Sequence, residues 1–241
     1  RRGFRLIYLS EEGAVFPGGQ DTWRALLMQF AKPAALDADD VFCVWGNLQA
    51  EIYRKASDAI RCQVVVTGHP RFDLCKPDFH WYYGRDVARI QRRYRSYVLV
   101  NTNTSWANNG MGGLKYTFAR SKSYDPEDAK DRSLRFGYWA KQHRAFANIV
   151  ELVNYMASML PHMNIVVRPH PSEDANTYRT IFEGIPNVSI EYSGSVIPWI
   201  IGAQAVVHDG CTTGIEAALS GRLTVVFKPS GNEAFDLKLP N

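Results

Sequence analysis

The chain has 241 residues, 46% of them hydrophobic and 22% charged, which is the composition of an ordinary globular protein and excludes disordered and fibrous classes. Its 28 Lys and Arg residues against 24 Asp and Glu residues give a net charge of +4. That excess is too small to indicate nucleic acid or an anionic membrane as a partner. The length predicts one large domain or two small ones.

Neither a membrane span nor a signal peptide is predicted. The longest apolar runs, such as Val64–Val66 and Ile165–Val167, are strand-sized and far short of the roughly 18 residues that a span needs. The chain opens on Arg1-Arg2-Gly3 and stops soon after a new element begins. We therefore expect a fragment of a longer cytoplasmic protein.

The cysteines show no Cys-x-x-Cys spacing and no histidines at zinc-ligand intervals. They are Cys43, Cys62, Cys75 and Cys211. We predict reduced thiols and no metal site.

Short β-rich runs alternate with helical patterns along the chain. In chain order the first predicted elements are strand Phe4–Leu9, strand Val41–Trp45, helix Gln49–Ser57, strand Gln63–Thr67, helix Phe79–Arg95 and strand Tyr97–Asn101. They are followed by helix Tyr138–Leu160, strand Ile165–Arg168, helix Thr177–Phe182, strand Val188–Glu191, helix Ser195–Gly202, strand Ala205–His208, helix Thr213–Ser220 and strand Leu223–Phe227. Such alternation predicts an α/β fold with parallel, Rossmann-like sheets.

The polar helix Phe79–Arg95 is the predicted domain boundary. Residues 1–78 would be the C-terminal part of an incomplete Rossmann-like domain, residues 79–95 a linker helix, and residues 96–241 a second Rossmann-like domain. The linker helix carries clustered arginines at positions 85, 89, 92 and 93. They fit a solvated helix face, or a contact with anionic lipid or nucleic acid.

Ligands of such sheets bind at the carboxyl ends of the strands, and unusual polar residues follow several predicted strands. The segment from His208 to Glu216 joins a strand, a glycine turn and the start of a helix. Its amides and the Thr212 and Thr213 hydroxyls suit a phosphate, Glu216 suits a ribose diol, and Asp209 is a candidate substrate-binding residue. An ordinary helix cap with a capping glutamate is the alternative.

The turn Arg168-Pro169-His170-Pro171 is stiffened by two prolines, so it would fix Arg168 and His170 at the same sheet edge. A guanidinium and an imidazole suit a phosphate or a sugar carboxylate. A capping histidine on a rigid turn is the alternative. The turn Gly68-His69-Pro70-Arg71 resembles it, with His69 and Arg71 as candidate substrate-binding residues and an Arg71–Asp73 bridge as the alternative.

Neutral and acidic groups follow two further strands. Asn101 and Asn103 offer amides to a hydroxyl-rich ligand, or else satisfy the backbone of a turn. Glu11 and Glu12 follow the first strand, where a carboxylate could act as general base toward a sugar hydroxyl. A solvated acidic turn is the alternative. The chain has no P-loop and no G-x-S-x-G elbow, and its glycines do not form a dinucleotide fingerprint.

Taken together, these motifs resemble bacterial surface-carbohydrate biosynthesis proteins, which are GT-B-type, glycosyltransferase-like enzymes of capsule and lipopolysaccharide assembly. The resemblance rests on Val44-Trp45-Gly46, Gly68 to Asp73, Val100 to Asn103, Arg168 to Pro171 and His208 to Ala217. The His-Pro turn and the threonine pair are also distantly similar to those of Kdo transferases, polysialyltransferases and teichoic-acid glycerophosphotransferases.

The resemblance implies roles for several residues. His170, Thr212 and Thr213 would bind the donor phosphate, assisted by Arg168, with Glu216 near the ribose. Glu12 or Glu11 would be the catalytic carboxylate. The chain has no Asp between Asn101 and Ser105, where some retaining Kdo transferases carry a nucleophile, so the stereochemical course stays open.

The implied function is metal-independent transfer of a sugar from a nucleotide donor, expected to be a CMP-sugar, to a glycan or lipid-linked glycan acceptor. The nucleotide sugar is a substrate, and no cofactor is implied. The expected location is the cytoplasm or the inner face of the cytoplasmic membrane, with peripheral membrane association and no nucleic-acid partner. A CDP-polyol phosphotransferase, a UDP-sugar epimerase and a non-catalytic nucleotide-binding or scaffold subunit are competing interpretations.

Overall fold

The structure is a computed structural model. It describes residues 3–10, 16–17, 23–24, 26–28, 31–56, 60–111, 117–119, 124–229 and 237–238. The chain divides into two compact units, one formed by Arg1–Lys76 with Glu233–Asn241 and one by Pro77–Asn232. Each unit is described by itself.

The first unit contains a parallel sheet of three strands, in the order β1-β2-β3. These are β1 (Ile7–Leu9), β2 (Val41–Val44) and β3 (Gln63–Val66), joined by a 3-10 turn at Pro33–Ala35 and helix α1 (Asn47–Ala56), and followed by one-turn helix α2 (Pro70–Asp73). Phe16–Pro17 pairs antiparallel with Leu237–Lys238. Phe42, Val44 and Tyr53 are completely buried, and the Tyr53 hydroxyl donates to the Leu27 carbonyl over 2.9 Å. The core of this unit therefore lies between the sheet and α1.

The second unit contains a parallel sheet of five strands. In chain order its elements are a 3-10 helix (Pro77–Tyr83), α3 (Gly84–Tyr94), β4 (Tyr97–Asn101), α4 (Ala129–Met159), β5 (Asn164–Arg168), α5 (Ala175–Ile181), β6 (Val188–Ile190), α6 (Ile197–Gly202), β7 (Ala205–His208), α7 (Thr213–Leu219) and β8 (Leu223–Val226). The strand order is β6-β5-β4-β7-β8. The order reverses between β4 and β7, so a ligand crevice is expected at the carboxyl ends of these two strands.

Helices cover both faces of the five-stranded sheet. Buried residues of α3, α6 and α7 form one core cluster with Leu99, Val166 and Val206. Buried residues of α4 and α5 form the other with Val98, Val100, Ile165 and Val167 on the opposite face. Consecutive strand residues point to opposite faces, so a strand buried on both sides reads as a continuous apolar run, as β4 does.

The predicted α/β class with parallel, Rossmann-like sheets is confirmed. The helix predicted at Tyr138–Leu160 begins nine positions earlier, at Ala129, because the Asp128 side chain caps it by accepting from the Lys130 amide over 2.8 Å. The predicted helix at Phe79–Arg95 is a 3-10 helix that continues into α3.

Within the residues the structure describes, no helix is both long and apolar enough to cross a membrane.

Candidate functional site

Three polar residues lie side by side at the reversal point of the five-stranded sheet. Asn101 is the last residue of β4, and in the sheet register it lies beside Arg168 of β5 and His208 of β7. The sequence motifs that end these three strands are therefore brought to one edge, as parallel pairing requires.

Asn101 is the most unusual group at this edge. It is only 4% exposed, yet neither its Nδ2 nor its Oδ1 has a hydrogen-bond partner among the described residues. Nearly all buried side-chain amides are hydrogen-bonded, because burying an unpaired polar group costs on the order of 1–3 kcal/mol. A ligand with one donor and one acceptor would satisfy both atoms.

A buried carboxylate organises the loop that follows Asn101. Glu173 is 3% exposed and accepts from the Thr104 amide over 2.6 Å, the Thr102 hydroxyl over 2.8 Å and the Tyr178 hydroxyl over 2.7 Å. Burial raises the pKa of Glu173, while these donors oppose the rise. Sequence reasoning missed this residue, although an acidic side chain just beyond a proline-rich turn and a hydroxyl-rich loop elsewhere were both visible signals.

Backbone hydrogen bonds join the same two loops. The Gly110 amide donates to the Ser172 carbonyl over 3.0 Å, and the Asp174 amide donates to the Asn108 carbonyl over 3.0 Å. Asn103 is half-buried within this loop. The asparagine-rich loop and the His-Pro turn therefore form one connected edge of the site.

His170 presents a defined face to this edge. Its Nδ1 accepts from the Ser172 amide over 3.2 Å and lies 2.6 Å from the Ser172 hydroxyl. Because Nδ1 is an acceptor, the neutral ring carries its proton on Nε2. Partial desolvation lowers the pKa of His170, which favours this neutral form at pH 7. The exposed imidazole can thus donate one hydrogen bond to an anionic ligand.

The turn after β7 is built around the ring of His208. Its Nδ1 accepts from the Gly210 amide over 3.0 Å, and Gly210 has a φ of 101°, which favours glycine. A Cβ added at Gly214 would lie 2.2 Å from Cε1 of His208. The first turn of α7 therefore packs directly on the imidazole, which is 6% exposed. Burial, and to a smaller extent Lys228, lowers the pKa of His208.

The start of α7 carries the two threonines. Thr212 is its N-cap residue, and its side chain makes no capping hydrogen bond. The Thr213 hydroxyl lies 2.7 Å from Sγ of Cys211, whose pKa burial raises to about 12, so Cys211 stays a thiol. Glu216 is 1% exposed in the first turn of α7. Its contact with a ribose stays a prediction.

Asp209 adds a carboxyl group with unusual electrostatics. Its Oδ1 is buried without a hydrogen-bond partner among the described residues. Desolvation, and then the charge of Glu173, raises the pKa of Asp209 to about 7, whereas Lys141 and Lys228 act in the opposite direction. Sequence reasoning did not select these lysines. The position of Lys228 just beyond the last strand was the available signal for it.

Arg168 has partners inside the unit. Its guanidinium donates to the Ser193 carbonyl over 3.0 Å and to the Gly194 carbonyl over 2.9 Å, and it stacks over the Trp199 ring at 5.2 Å. It is 8% exposed, and burial lowers its pKa. The structure therefore gives Arg168 an anchoring contact, and its assistance to a phosphate stays a prediction.

Two candidate residues belong to the first unit, at the carboxyl end of β3. Nδ1 of His69 caps α2 by accepting from the Arg71 amide over 3.1 Å, and the guanidinium of Arg71 lies 5.8 Å from the Phe72 ring centroid. Their roles toward a substrate stay predictions. Glu11 and Glu12 lie outside the described residues.

No group of three or more His, Cys, Asp and Glu side chains placed to bind a metal ion occurs in the described ranges. The donors that the site does offer are amides, hydroxyls, imidazoles and lysine ammonium groups. Such a set suits an anionic, hydroxyl-rich ligand.

The sequence matches no protein-family model and no curated protein. Among solved structures, the wall teichoic acid polymerase TagF aligns with a TM-score of 0.52 at 12% identity, over 94% of this chain and 50% of that one. HepE from Anabaena, in complex with UDP and glucose, aligns with a TM-score of 0.39 at 11% identity, over 92% of this chain and 52% of HepE. The E. coli heptosyltransferase WaaC with ADP gives a TM-score of 0.31 at 12% identity, over 95% of this chain and 89% of WaaC.

The chain thus spans 50% of the length of TagF. At a sequence identity this low, the structural likeness to TagF establishes only the fold. That fold is α/β and GT-B-like, with parallel sheets flanked by helices.

Proposed function

We propose that this chain is part of a glycosyltransferase of bacterial surface polysaccharide biosynthesis, and that it binds the nucleotide-sugar donor at the carboxyl edge of the five-stranded sheet. The expected donor is a CMP-sugar, and the acceptor is a glycan or a lipid-linked glycan. The observation that carries the proposal is the Asn101 amide, buried and unpartnered among the described residues where the strand order reverses.

The chemistry of the edge supports a nucleotide. A nucleobase or a ribose offers neighbouring donors and acceptors, which is what the two free positions of the Asn101 amide require. A buried amide that stays unpaired without a ligand makes ligand binding more favourable, because binding removes its desolvation penalty. The reversal point of a parallel sheet is also the usual location of such ligands.

The surrounding donors support a phosphate next to that position. Thr212 and Thr213 place hydroxyls at the start of α7, and His170 offers an Nε2 proton. Lys141 and Lys228 lie near enough to Asp209 to oppose the rise of its pKa, so two positive charges lie near this carboxyl group. In this proposal these groups stabilise the negative charge that develops on the leaving phosphate, without a metal ion.

One part of the reaction lies outside the second unit. The general base that deprotonates the acceptor hydroxyl is proposed to be Glu12 or Glu11.

A second candidate function is transfer of a polyol phosphate from a CDP-polyol. The fold likeness to a teichoic acid polymerase favours this reaction over sugar epimerisation and over a purely scaffolding role. This reaction would use the same nucleotide-binding site. The bond broken would be the pyrophosphate linkage of the donor instead of the glycosidic bond.

The test is calorimetric titration of the purified protein with CMP, CDP, UDP and GDP, with and without Mg²⁺. We expect one nucleotide to bind without Mg²⁺. His170→Ala and the double change Thr212→Ala with Thr213→Ala should each weaken it about tenfold or more, which is about 1.4 kcal/mol.

Matched controls are His162→Ala and Thr180→Ala, at exposed positions of the same unit. They should leave the affinity within about twofold. If no nucleotide binds, or if the control variants lose as much affinity as the site variants, the proposal is wrong. Product analysis with CMP-sugar and CDP-polyol donors then separates the two candidate reactions.

A further inference from the structure

One side of the helical segment at residues 77–95 exposes large aromatic rings and arginines together. Trp81 is 76% exposed, Tyr82 63% and Phe79 39%. Arg85 and Arg92 are also exposed. Aromatic rings of this size are usually buried, so a row of them at the surface indicates a contact with a partner.

Two of the rings and three of the arginines lie along the same side. In the 3-10 helix Pro77–Tyr83, residues three apart eclipse each other, which aligns Phe79 with Tyr82 and leads on to Arg85. In α3, residues three and four apart share a face, which continues the row through Arg89 and Arg92. We call this row of five residues, with the neighbouring Trp81 and Arg93, the basic aromatic face.

The opposite side of the same segment is anchored in the core. Tyr83 is 8% exposed, Ile90 4% and Tyr94 4%, and the last two pack with Trp199 and Leu99 beneath the sheet. Rotation of the helix would expose these side chains, so the basic aromatic face is directed outward by the packing of the unit.

The charge of the segment is strongly positive. Residues 77–95 contain arginines at 85, 89, 92, 93 and 95 against Asp78 and Asp86. Arg89 pairs with Asp86 over 2.8 Å and Arg93 with Glu191 over 3.2 Å. Across the described parts of the chain, Arg85 and Arg92 show no ion pair. Two unneutralised guanidinium groups therefore flank the exposed rings.

We infer that the basic aromatic face docks on the surface of an anionic phospholipid bilayer. Trp and Tyr favour the membrane–water interface because one end of each ring is apolar and the other is polar. Guanidinium groups are attracted by the negative surface potential of anionic lipids, at about 1 kcal/mol for each group near the surface. The row from Phe79 to Arg92 is about 22 Å long, and an extended row of this kind fits a flat surface.

Docking is independent of the nucleotide proposal, because the residues varied below, Trp81, Tyr82, Arg85 and Arg92, are not among those at the carboxyl edge of the sheet. It would bring the enzyme to the surface where a lipid-linked acceptor is found. Loss of docking should therefore leave nucleotide affinity unchanged, so failure of one proposal is distinguishable from failure of the other.

The test is cosedimentation of the purified protein with vesicles of phosphatidylcholine alone or mixed with phosphatidylglycerol. We expect binding to the anionic vesicles and not to the neutral ones. Arg85→Gln with Arg92→Gln should weaken it about thirtyfold, because two groups are neutralised. Trp81→Ser with Tyr82→Ser should weaken it roughly tenfold. Only the arginine effect should shrink at about 0.5 M salt, because the screening length there is only about 4 Å.

The matched control is Lys130→Gln with Arg144→Gln, which removes the same charge from exposed positions of α4. It should cost less than about threefold, and circular dichroism should show all variants equally folded. The inference fails if the protein does not bind anionic vesicles, or if the control variant loses as much binding as the arginine variant. It also fails if the same residues instead control binding to an RNA oligonucleotide or association with a second copy, measured by gel shift and by sedimentation.

Discussion

The two sheets end at their carboxyl edges in different ways. In the first unit the polar groups of the edge bond to one another: the Trp45 ring donates to the Ser10 carbonyl over 2.5 Å, Gln49 accepts from the Trp45 amide over 2.6 Å, and its Nε2 donates to the Ser10 hydroxyl over 3.1 Å. In the second unit, the Asn101 amide and Oδ1 of Asp209 are buried without such partners among the described residues.

This difference indicates which of the two edges lowers the stability of the fold. A satisfied polar network stabilises a fold, whereas unpaired buried groups destabilise it until a ligand supplies their partners. The polar groups named at the first edge are thus satisfied by its own side chains, whereas the second edge leaves polar atoms of Asn101 and Asp209 without partners among the described residues. Substitutions at Glu173, Asp209 and Asn101 test that contrast.

The largest effect is expected at Glu173, which holds the loop beside the second edge. Replacing Glu173 with Ala leaves the Thr104 amide and the Thr102 and Tyr178 hydroxyls without their acceptor. We expect a loss of about 4 kcal/mol in the free energy of unfolding, measured by urea denaturation. Asp174→Ala, which removes only the N-cap of α5, is the comparison and should cost about 1 kcal/mol. Equal losses would show that Glu173 does not organise the loop.

An intermediate effect, and a dependence on pH, are expected at Asp209. Its pKa is raised to about 7 from an ordinary value near 3.8, so the folded state keeps a proton that the unfolded state releases. The contribution of Asp209 to the stability of the unliganded protein should therefore fall as pH rises from about 4 to about 7 and level off above that. Asp209→Asn removes this penalty.

We expect Asp209→Asn to unfold at nearly the wild-type urea concentration at about pH 4, and to be about 3 kcal/mol more stable at about pH 6. The difference between the two proteins is the quantity to measure, because other titrating groups cancel in it. Asp78→Asn, at an exposed position, is the matched control for the loss of one carboxylate. A pH-independent difference for Asp209→Asn would contradict the burial of its charge.

The smallest effect is the most direct test of the contrast, because one kind of substitution should act with opposite sign at the two edges. Asn101→Leu replaces an unpaired amide with an apolar group of similar size and should stabilise the unliganded protein by about 1 kcal/mol. Gln49→Leu breaks one buried and one partly buried hydrogen bond and should destabilise it by about 1–2 kcal/mol. Denaturation of both variants checks the signs. If both substitutions destabilise the fold, the Asn101 amide is satisfied within the protein.

Much of the architecture could be predicted from local patterns. Apolar runs such as Val64–Val66 and Ile165–Val167 lie in strands because β-branched residues favour the extended backbone and have no polar face to present to water. The start of α4 was missed because an aspartate cap is a single side-chain contact, and its sequence context does not distinguish it from a loop residue.

The sequence alone determined the α/β class, the strands that end in polar turns, and the residue types available for a phosphate. These follow from periodicity and from proline and glycine positions, which act over a few residues. The tertiary structure decided which of those side chains already have partners. Arg168 was a phosphate candidate in the sequence and is bound to two carbonyls in the fold, whereas Glu173 was unnoticed and proved to connect two loops. Hydrogen-bond partners come from residues far apart in the chain, such as Thr104 and Glu173, and only the folded sheet brings them within reach.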